Sequence, residues 1–345
     1  MDFTSDNASG IAPEILEALS RANTGTAASY GADEFTARLR KRFCDVFEHE
    51  VEVFPVVTGT AANALALAAI APPYGAVFCH ELAHVHLDEC GAPEMFSGGA
   101  KLVPVGGADA RIDAALLQAE LAKLPAGVVH HVQPAALTLT QSTELGSVYR
   151  NEDIAALAEI ARARGLLIHM DGARFANALA SLSVSPAEAT WKSGVDLMSF
   201  GATKNGAMAA EAVIVFNPDV ARDLAFRRKR AGHLLSKMRF VSAQLEAYLE
   251  DGLWLRLAAH ANSMASRVAD GLRSYQAASL HLDPQANEIF VRLPSADVRR
   301  LKDAGARFHK WPMPGDSEAG HTIRLVTSFS TTPEETDRFI SVLRG

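Results

Sequence analysis

The 345-residue chain can bury one large core and a smaller one, and 48% hydrophobic with 21% charged residues excludes a disordered protein. A net charge of −7, with basic residues interspersed among acids, excludes the basic footprint of a nucleic-acid binder and favours a small-molecule partner. Three cysteines, Cys44, Cys79 and Cys90, lack any Cys-x-x-Cys spacing, and no apolar run approaches a membrane span, so no disulfide framework, metal or membrane is expected and the cytoplasm fits best.

The opening MDFTSDNASG has no basic stretch followed by an apolar one, so no export leader is expected. A polar arm with Ser5, Asp6 and Asn7 leads to Pro13, which opens a helix carrying Ile15, Leu16 and Leu19 on one face. Asn23–Tyr30 is small and polar. This loop delivers Tyr30-Gly31 to a second helix that starts at Asp33 and places Phe35, Leu39, Phe43 and Phe47 at four-residue spacing. Tyr30 is thereby free to reach a site. Val51–Val57 is a β-rich run, and Thr58-Gly59-Thr60-Ala61-Ala62-Asn63 turns it into an alanine- and leucine-rich helix. A glycine turn at a helix N-terminus gathers free N–H groups at the positive end of the dipole, so Gly59 and Thr60 read as a phosphate cradle. The turn matches neither Gly-x-Gly-x-x-Gly nor Gly-Lys-Ser/Thr, which disfavours dinucleotides and nucleoside triphosphates.

From Ala76 onward, short apolar runs at Val77–Cys79, Lys101–Val105, Val128–Val132 and Leu137–Leu139 alternate with helical segments, the last over Asn151–Arg164. Such alternation predicts an α/β fold with a mainly parallel sheet. The segment HELAHVHLDE puts His80, His84 and His86 near a helix start without the Glu-and-His set of a metalloprotease. One of them can lie flat on a cofactor ring, while His80 and His86 read as partly exposed loop histidines.

Leu166–Met170 and Val195–Phe200 read as buried parallel strands, leading into Asp171 and Lys204 at the strand carboxyl ends where open α/β sheets bind ligands. A carboxylate and an amine facing one crevice suit pyridoxal phosphate (PLP). Its aldehyde needs a lysine, and its ring nitrogen needs a carboxylate to stay protonated. Taken alone, Asp171 serves equally as cap for a helix beginning near Ala173. Ala212–Phe216 is a further strand, and Pro218 starts a long helical stretch with the cluster Arg227, Arg228, Lys229 and Arg230. Such a cluster is usually a solvated face, and here it can touch a neighbouring subunit's phosphate. The tail reads strand, helix, strand, helix over Ile289–Leu293, Ser295–Ala304, Thr322–Val326 and Pro333–Leu343. The expected division is an arm and large cofactor-binding domain over 1–240 and a small α+β domain over 241–345. Arg324 lies within a strand, where it is costly without an anionic partner.

With these residues assembled, the chain resembles the low-specificity L-threonine aldolases, fold type I enzymes of PLP with a seven-stranded sheet. The resemblance is carried by Ser5-Asp6-Asn7, Tyr30-Gly31, the TGTAAN turn, Ala83-His84, His169 to Ala178, Thr203-Lys204, Met238-Arg239 and Ile323 to Thr327. It implies retro-aldol cleavage of L-threonine, L-allo-threonine and other L-β-hydroxy-α-amino acids, such as phenylserine, to glycine and an aldehyde. It further implies Lys204 as the Schiff-base lysine, Asp171 at the ring nitrogen, His84 stacked on the ring and Gly59-Thr60 at the phosphate. Ser5, Arg174 and Arg324 would hold the substrate carboxylate, with Arg174 also near the cofactor, and a homodimer or homotetramer is implied. The group that deprotonates the β-hydroxyl is left among His84, His130 and a water near Tyr30. β-Elimination or racemisation on the same cofactor is the alternative chemistry. The chain departs from the family pattern twice: Thr140-Gln141-Ser142-Thr143 replaces a Glu-Asn-Thr-His run, and His233–Lys237 replaces a glycine-rich one. The second departure leaves Lys229 and Arg230 as alternatives at the phosphate.

Overall fold

The computed structural model describes residues Met1–Gly345. Its large sheet contains β1 (Glu52–Val56), β2 (Gly75–His80), β3 (Lys101–Val105), β4 (Gln133–Thr140), β5 (Leu167–Gly172), β6 (Leu197–Gly201) and β7 (Glu211–Val215). The seven strands lie in the order β1-β7-β6-β5-β4-β2-β3. Pairings from β3 through β6 are parallel, and β7 alone runs the other way, antiparallel to both β6 and β1. Every residue of β2, β6 and β7 is buried, which explains why these strands read as almost unbroken apolar runs.

Successive side chains of the central strands serve two cores. Leu197, Val213 and Val215 point to the helix Gly59–Ile70, whose apolar surface is buried nearly all round. Met198, Phe200, Ala212 and Ile214 point to the opposite layer, where Phe200 meets Phe43 edge-on at 5.1 Å between ring centroids and Phe47 meets Phe216 at 5.0 Å. Truncating such a ring costs about 3–5 kcal/mol. The helix Glu34–Phe47 that carries Phe43 and Phe47 is capped by Asp33, whose Oδ1 accepts from the Thr36 N–H at 2.9 Å.

A second, antiparallel sheet holds β8 (Ser279–Leu280), β9 (Glu288–Pro294), β10 (His309–Lys310) and β11 (Gly320–Val326) in the order β10-β11-β9-β8. Helices Leu253–Arg273 and Pro333–Arg344 cover it. They approach closely at Gly271, where a Cβ would strike the Ile340 side chain. The N-terminal arm is tied to this sheet: Phe3 N–H donates to Arg307 O at 2.8 Å, and Phe3 O accepts from Val326 N–H at 3.0 Å. Residues Ser5 to Asn7 are thereby led toward the large sheet. No helix is long and apolar enough to cross a membrane.

Two predicted elements differ. Val128–Val132 is a turn, in which the Gln133 amide accepts from Gly127 N–H at 2.7 Å and donates to Val128 O and His131 O. Val129 is left 91% exposed, so the apolar run was composition without a core to face. The stretch from Pro218 is a short turn followed by the helix Leu224–Arg230, ended near Gly232 at φ +79°.

Candidate active site

Strand register builds the site. Thr140, Asp171 and Ser199 are neighbours across β4, β5 and β6, and Glu211 pairs with Gly201 at the same sheet end. A pocket of about 310 Å³ opens over these positions. Gly59 and Thr60, at the start of the helix Gly59–Ile70, line it, and Thr58 caps that helix by accepting from Ala61 N–H at 3.2 Å. Asp171 is buried and divides its oxygens: Oδ1 accepts from Ala173 N–H at 3.0 Å and Oδ2 from the Asn63 amide at 2.8 Å. Asp171 thus closes the turn at Ala173 rather than capping a helix, because the helix that follows starts at Phe175 with Arg174 at its N-cap and no side-chain cap.

Asn63 also donates to Glu89 Oε1 at 2.8 Å, and the same oxygen lies 2.9 Å from His84 Nδ1. This hydrogen bond raises the His84 pKa, whereas burial raises that of Glu89. Both shifts favour protonation of the pair, and His84 is half exposed and lines the pocket. Lys204 sits on the tight turn Thr203–Asn205 after β6. Asn205 fixes that turn by donating to Tyr248 Oη at 2.7 Å and Trp254 O at 2.8 Å, and Gly206 completes it at φ +116°. Below the pocket His169 is fully buried, 2.8 Å from Thr138 Oγ1 through Nδ1 and 3.0 Å from Ser199 Oγ through Nε2. Burial pushes its pKa down to about 4.

The arginines form a buried charge cluster. Arg174 grips Asp6 with two bonds, Nε to Oδ2 at 2.8 Å and Nη2 to Oδ1 at 3.0 Å, and its Nη1 lies 3.2 Å from Glu288. Burial alone would weaken the guanidinium's hold on its proton, but Asp6 and Glu288 more than reverse this. Arg324 Nη2 donates to Thr4 O at 3.2 Å, its guanidinium stacks 4.8 Å from the Trp311 centroid, and its buried Nε has no partner. Ser5 is turned to its own backbone, accepting from Asn7 N–H at 3.1 Å, and Asn7 reaches the pocket instead.

Several expected residues are not brought in. His130 is exposed in the turn before β4, at the end of that strand remote from Thr140. Eight extended residues span roughly 25 Å, so His130 is withdrawn as a base within this chain. Tyr30 is 51% exposed outside the pocket, with the Lys229 ammonium 4.6 Å from its ring centroid. Arg230 is exposed. His80 is buried rather than partly exposed, since it lies on β2 with Nε2 3.1 Å from Gly107 O.

The beta-eliminating lyase family matches residues 2–294. The chain is 44% identical over 317 residues to the low specificity L-threonine aldolase of Pseudomonas aeruginosa, covering 89% of this chain and 88% of that one. The chain belongs to the low-specificity L-threonine aldolases. Among solved structures, the threonine aldolase of Leishmania major superposes with a TM-score of 0.93, covering 99% of this chain and 98% of that one at 27% identity. A serine palmitoyltransferase from S. paucimobilis, solved with PLP bound, has a TM-score of 0.70 over 100% and 86% of the two chains at 15% identity. That likeness speaks to the fold alone.

In this aldolase-family chain, sequence reasoning missed Asn63, Glu89, Glu144 and Glu211, all of which line the pocket. Asn63 lay in plain view within the TGTAAN turn. Glu211 follows an alanine-rich turn as the first residue of β7, where a charge preceding an apolar run reads as solvent-exposed; it is buried, and burial raises its pKa. Glu89 and Glu144 sit on loops, where spacing carries no directional signal.

Proposed function

We propose that the protein is a PLP-dependent low-specificity L-threonine aldolase, cleaving L-threonine, L-allo-threonine and related L-β-hydroxy-α-amino acids such as phenylserine to glycine and an aldehyde. The reading is carried by the convergence of Lys204, Asp171 and the Gly59-Thr60 helix start on one pocket. These residues fit the cofactor. A Cβ built at Gly59 meets nothing within 4 Å, so the first turn of its helix stands open to a phosphate. Gly59 and Thr60 would hold that phosphate, Asp171 the ring nitrogen, His84 a ring face and Lys204 the aldehyde. When bound, PLP supplies the sink for the electron pair left at Cα as the Cα–Cβ bond breaks. Arg324 stands outside the pocket lining but keeps a buried donor unpartnered, the kind of group a substrate carboxylate satisfies, and Arg174, which lines the pocket, would assist, whereas Ser5 is turned to Asn7 N–H.

Incubation with L-threonine, L-allo-threonine, L-serine and L-alanine tests the assignment. Glycine and acetaldehyde are expected from both threonines. Pyruvate from L-serine, or D-alanine from L-alanine, as the main product would move the assignment to β-elimination or racemisation.

A closed homo-oligomer in the cytoplasm, a dimer or a tetramer, belongs to the same proposal. Within the Arg227–Arg230 cluster, Arg228 packs on Phe54 and donates to Pro55 O, while Lys229, beside exposed Tyr30, and Arg230 are exposed and available to the phosphate site of a neighbouring subunit. Light scattering should return at least a dimer; a monomer at working concentration would overturn it.

A further inference from the structure

We propose that Glu144 is a catalytic residue, the acceptor of the substrate's β-hydroxyl proton. The inference rests on the aldolase reading and deepens it. Glu144 lies on the loop after β4 and lines the pocket beside Thr140, Ser142, His84 and Asp171. Its Oε1 is fixed by two donors, Thr140 Oγ1 at 2.8 Å and the His84 backbone N–H at 2.9 Å. Its Oε2 is buried with no hydrogen-bond partner. One oxygen is thus anchored, and the other is held for a partner the protein does not provide. Buried polar atoms are rarely left so without a functional reason.

The surroundings suit a base. Asp171 acts on Glu144 from β5, Glu89 and His84 stand on the loop and helix after β2, and Arg174, which lines the same pocket, is committed to Asp6 and Glu288. No cation is bonded to the carboxyl. Burial pushes the Glu144 pKa up to about 7, against the Thr140 hydroxyl, the His84 N–H and its own N–H, and with help from Asp171. Proton transfer works best when the group's pKa lies near the operating pH. The other candidates fit less well: His130 is remote, Tyr30 is outside the pocket, and His84 is held toward its protonated, donating form by Glu89. His84 can then donate to the hydroxyl oxygen while Glu144 accepts its proton. As the proton moves to Glu144, the O–H pair becomes the second C–O bond of the aldehyde and the Cα–Cβ bond breaks, leaving its pair on Cα. One proton then returns to Cα, so glycine and aldehyde leave with no net proton change.

Glu144→Gln keeps the shape and removes the acceptor. L-Threonine cleavage should fall at least about 100-fold, and the acidic limb of kcat/KM near pH 7 should vanish. Uptake of PLP, followed by absorbance, should be unchanged. Exchange of the glycine α-proton in D2O, which involves no hydroxyl, should stay close to wild type. In cofactor-free protein, carboxyl 13C NMR should show a titration near 7 that the variant lacks. Glu144→Asp, which keeps a carboxylate, should retain the acidic limb at reduced kcat and covers the case in which the glutamine variant misfolds. Near-normal cleavage with an intact acidic limb would overturn the proposal and assign the base to His84. Parallel loss of cleavage and glycine exchange would reduce Glu144 to a structural role. Failure of the aldolase reading looks different, because wild-type protein would then lack cleavage or PLP uptake itself.

Discussion

Replacing Lys204 by alanine should abolish threonine cleavage while leaving the protein folded. Lys204 offers the amine of the pocket, yet its Nζ makes no hydrogen bond or ion pair with the rest of the chain, and the turn that carries it is fixed by Asn205 and Gly206. Truncating it deletes no core volume. A Tm change under about 2 °C is therefore expected. Any cost should be electrostatic and grow as pH rises, because Lys204 is among the cations that favour ionisation of buried Asp6, Glu211 and Glu288. The measurements are aldehyde release from L-threonine and a thermal melt on the same preparation. Turnover comparable to wild type in Lys204→Ala would remove this residue from the chemistry and with it the proposed function.

The large sheet was legible in the sequence because its strands are buried on both faces, so runs such as Val195–Phe200 and Ala212–Phe216 needed no alternation to be recognised. The order and sense of pairing were not legible. Nothing in Glu211–Val215 announces that β7 opposes its neighbours, since a doubly buried strand looks alike in either direction. Val128–Val132 shows the reverse error, in which an apolar run met a side-chain-bonded turn at Gln133 and was left in solvent. At the site, residues on strand ends or helix starts, Asp171, Lys204, Gly59 and Thr60, were readable because the element fixes where they project. Glu89 and Glu144 were not, because a loop fixes direction only through contacts such as Glu144 to His84 N–H, which sequence does not display.

Asp6 carries the same lesson for the arm. It could be placed near the site by resemblance, but its two-bond grip on Arg174 changes what that arginine has left to offer. With Nε and Nη2 committed to Asp6 and Nη1 near Glu288, Arg174 binds a further carboxylate only by sharing or exchanging partners. Arg324 keeps its Nε free but lies outside the pocket lining, so of the two arginines only Arg174 faces the pocket.

Asp171→Asn should give a folded, PLP-loaded protein whose kcat for L-threonine falls between about thirtyfold and a thousandfold. A charge pair at about 4 Å is worth on the order of 4 kcal/mol at an effective dielectric near 20. If half of that acts on the barrier the rate falls about thirtyfold, and if all of it acts about a thousandfold, since 1.36 kcal/mol is a factor of ten. The burial of Asp171 favours the upper part of that range, because little water screens the carboxylate. Folding should survive for a local reason. An asparagine oxygen still accepts from Ala173 N–H, and the opposing Asn63 can turn its unpartnered Oδ1 toward the new amide, at the expense of its bond to Glu89. Losing one such bond costs about 1 kcal/mol. PLP should still bind, since Lys204 and the Gly59-Thr60 helix start are untouched. If Asp171 only caps the turn at Ala173, asparagine serves nearly as well and kcat stays near wild type. Absorbance to establish PLP loading, followed by kcat on that same sample, therefore separates a carboxylate that acts on the cofactor from one that merely ends a strand.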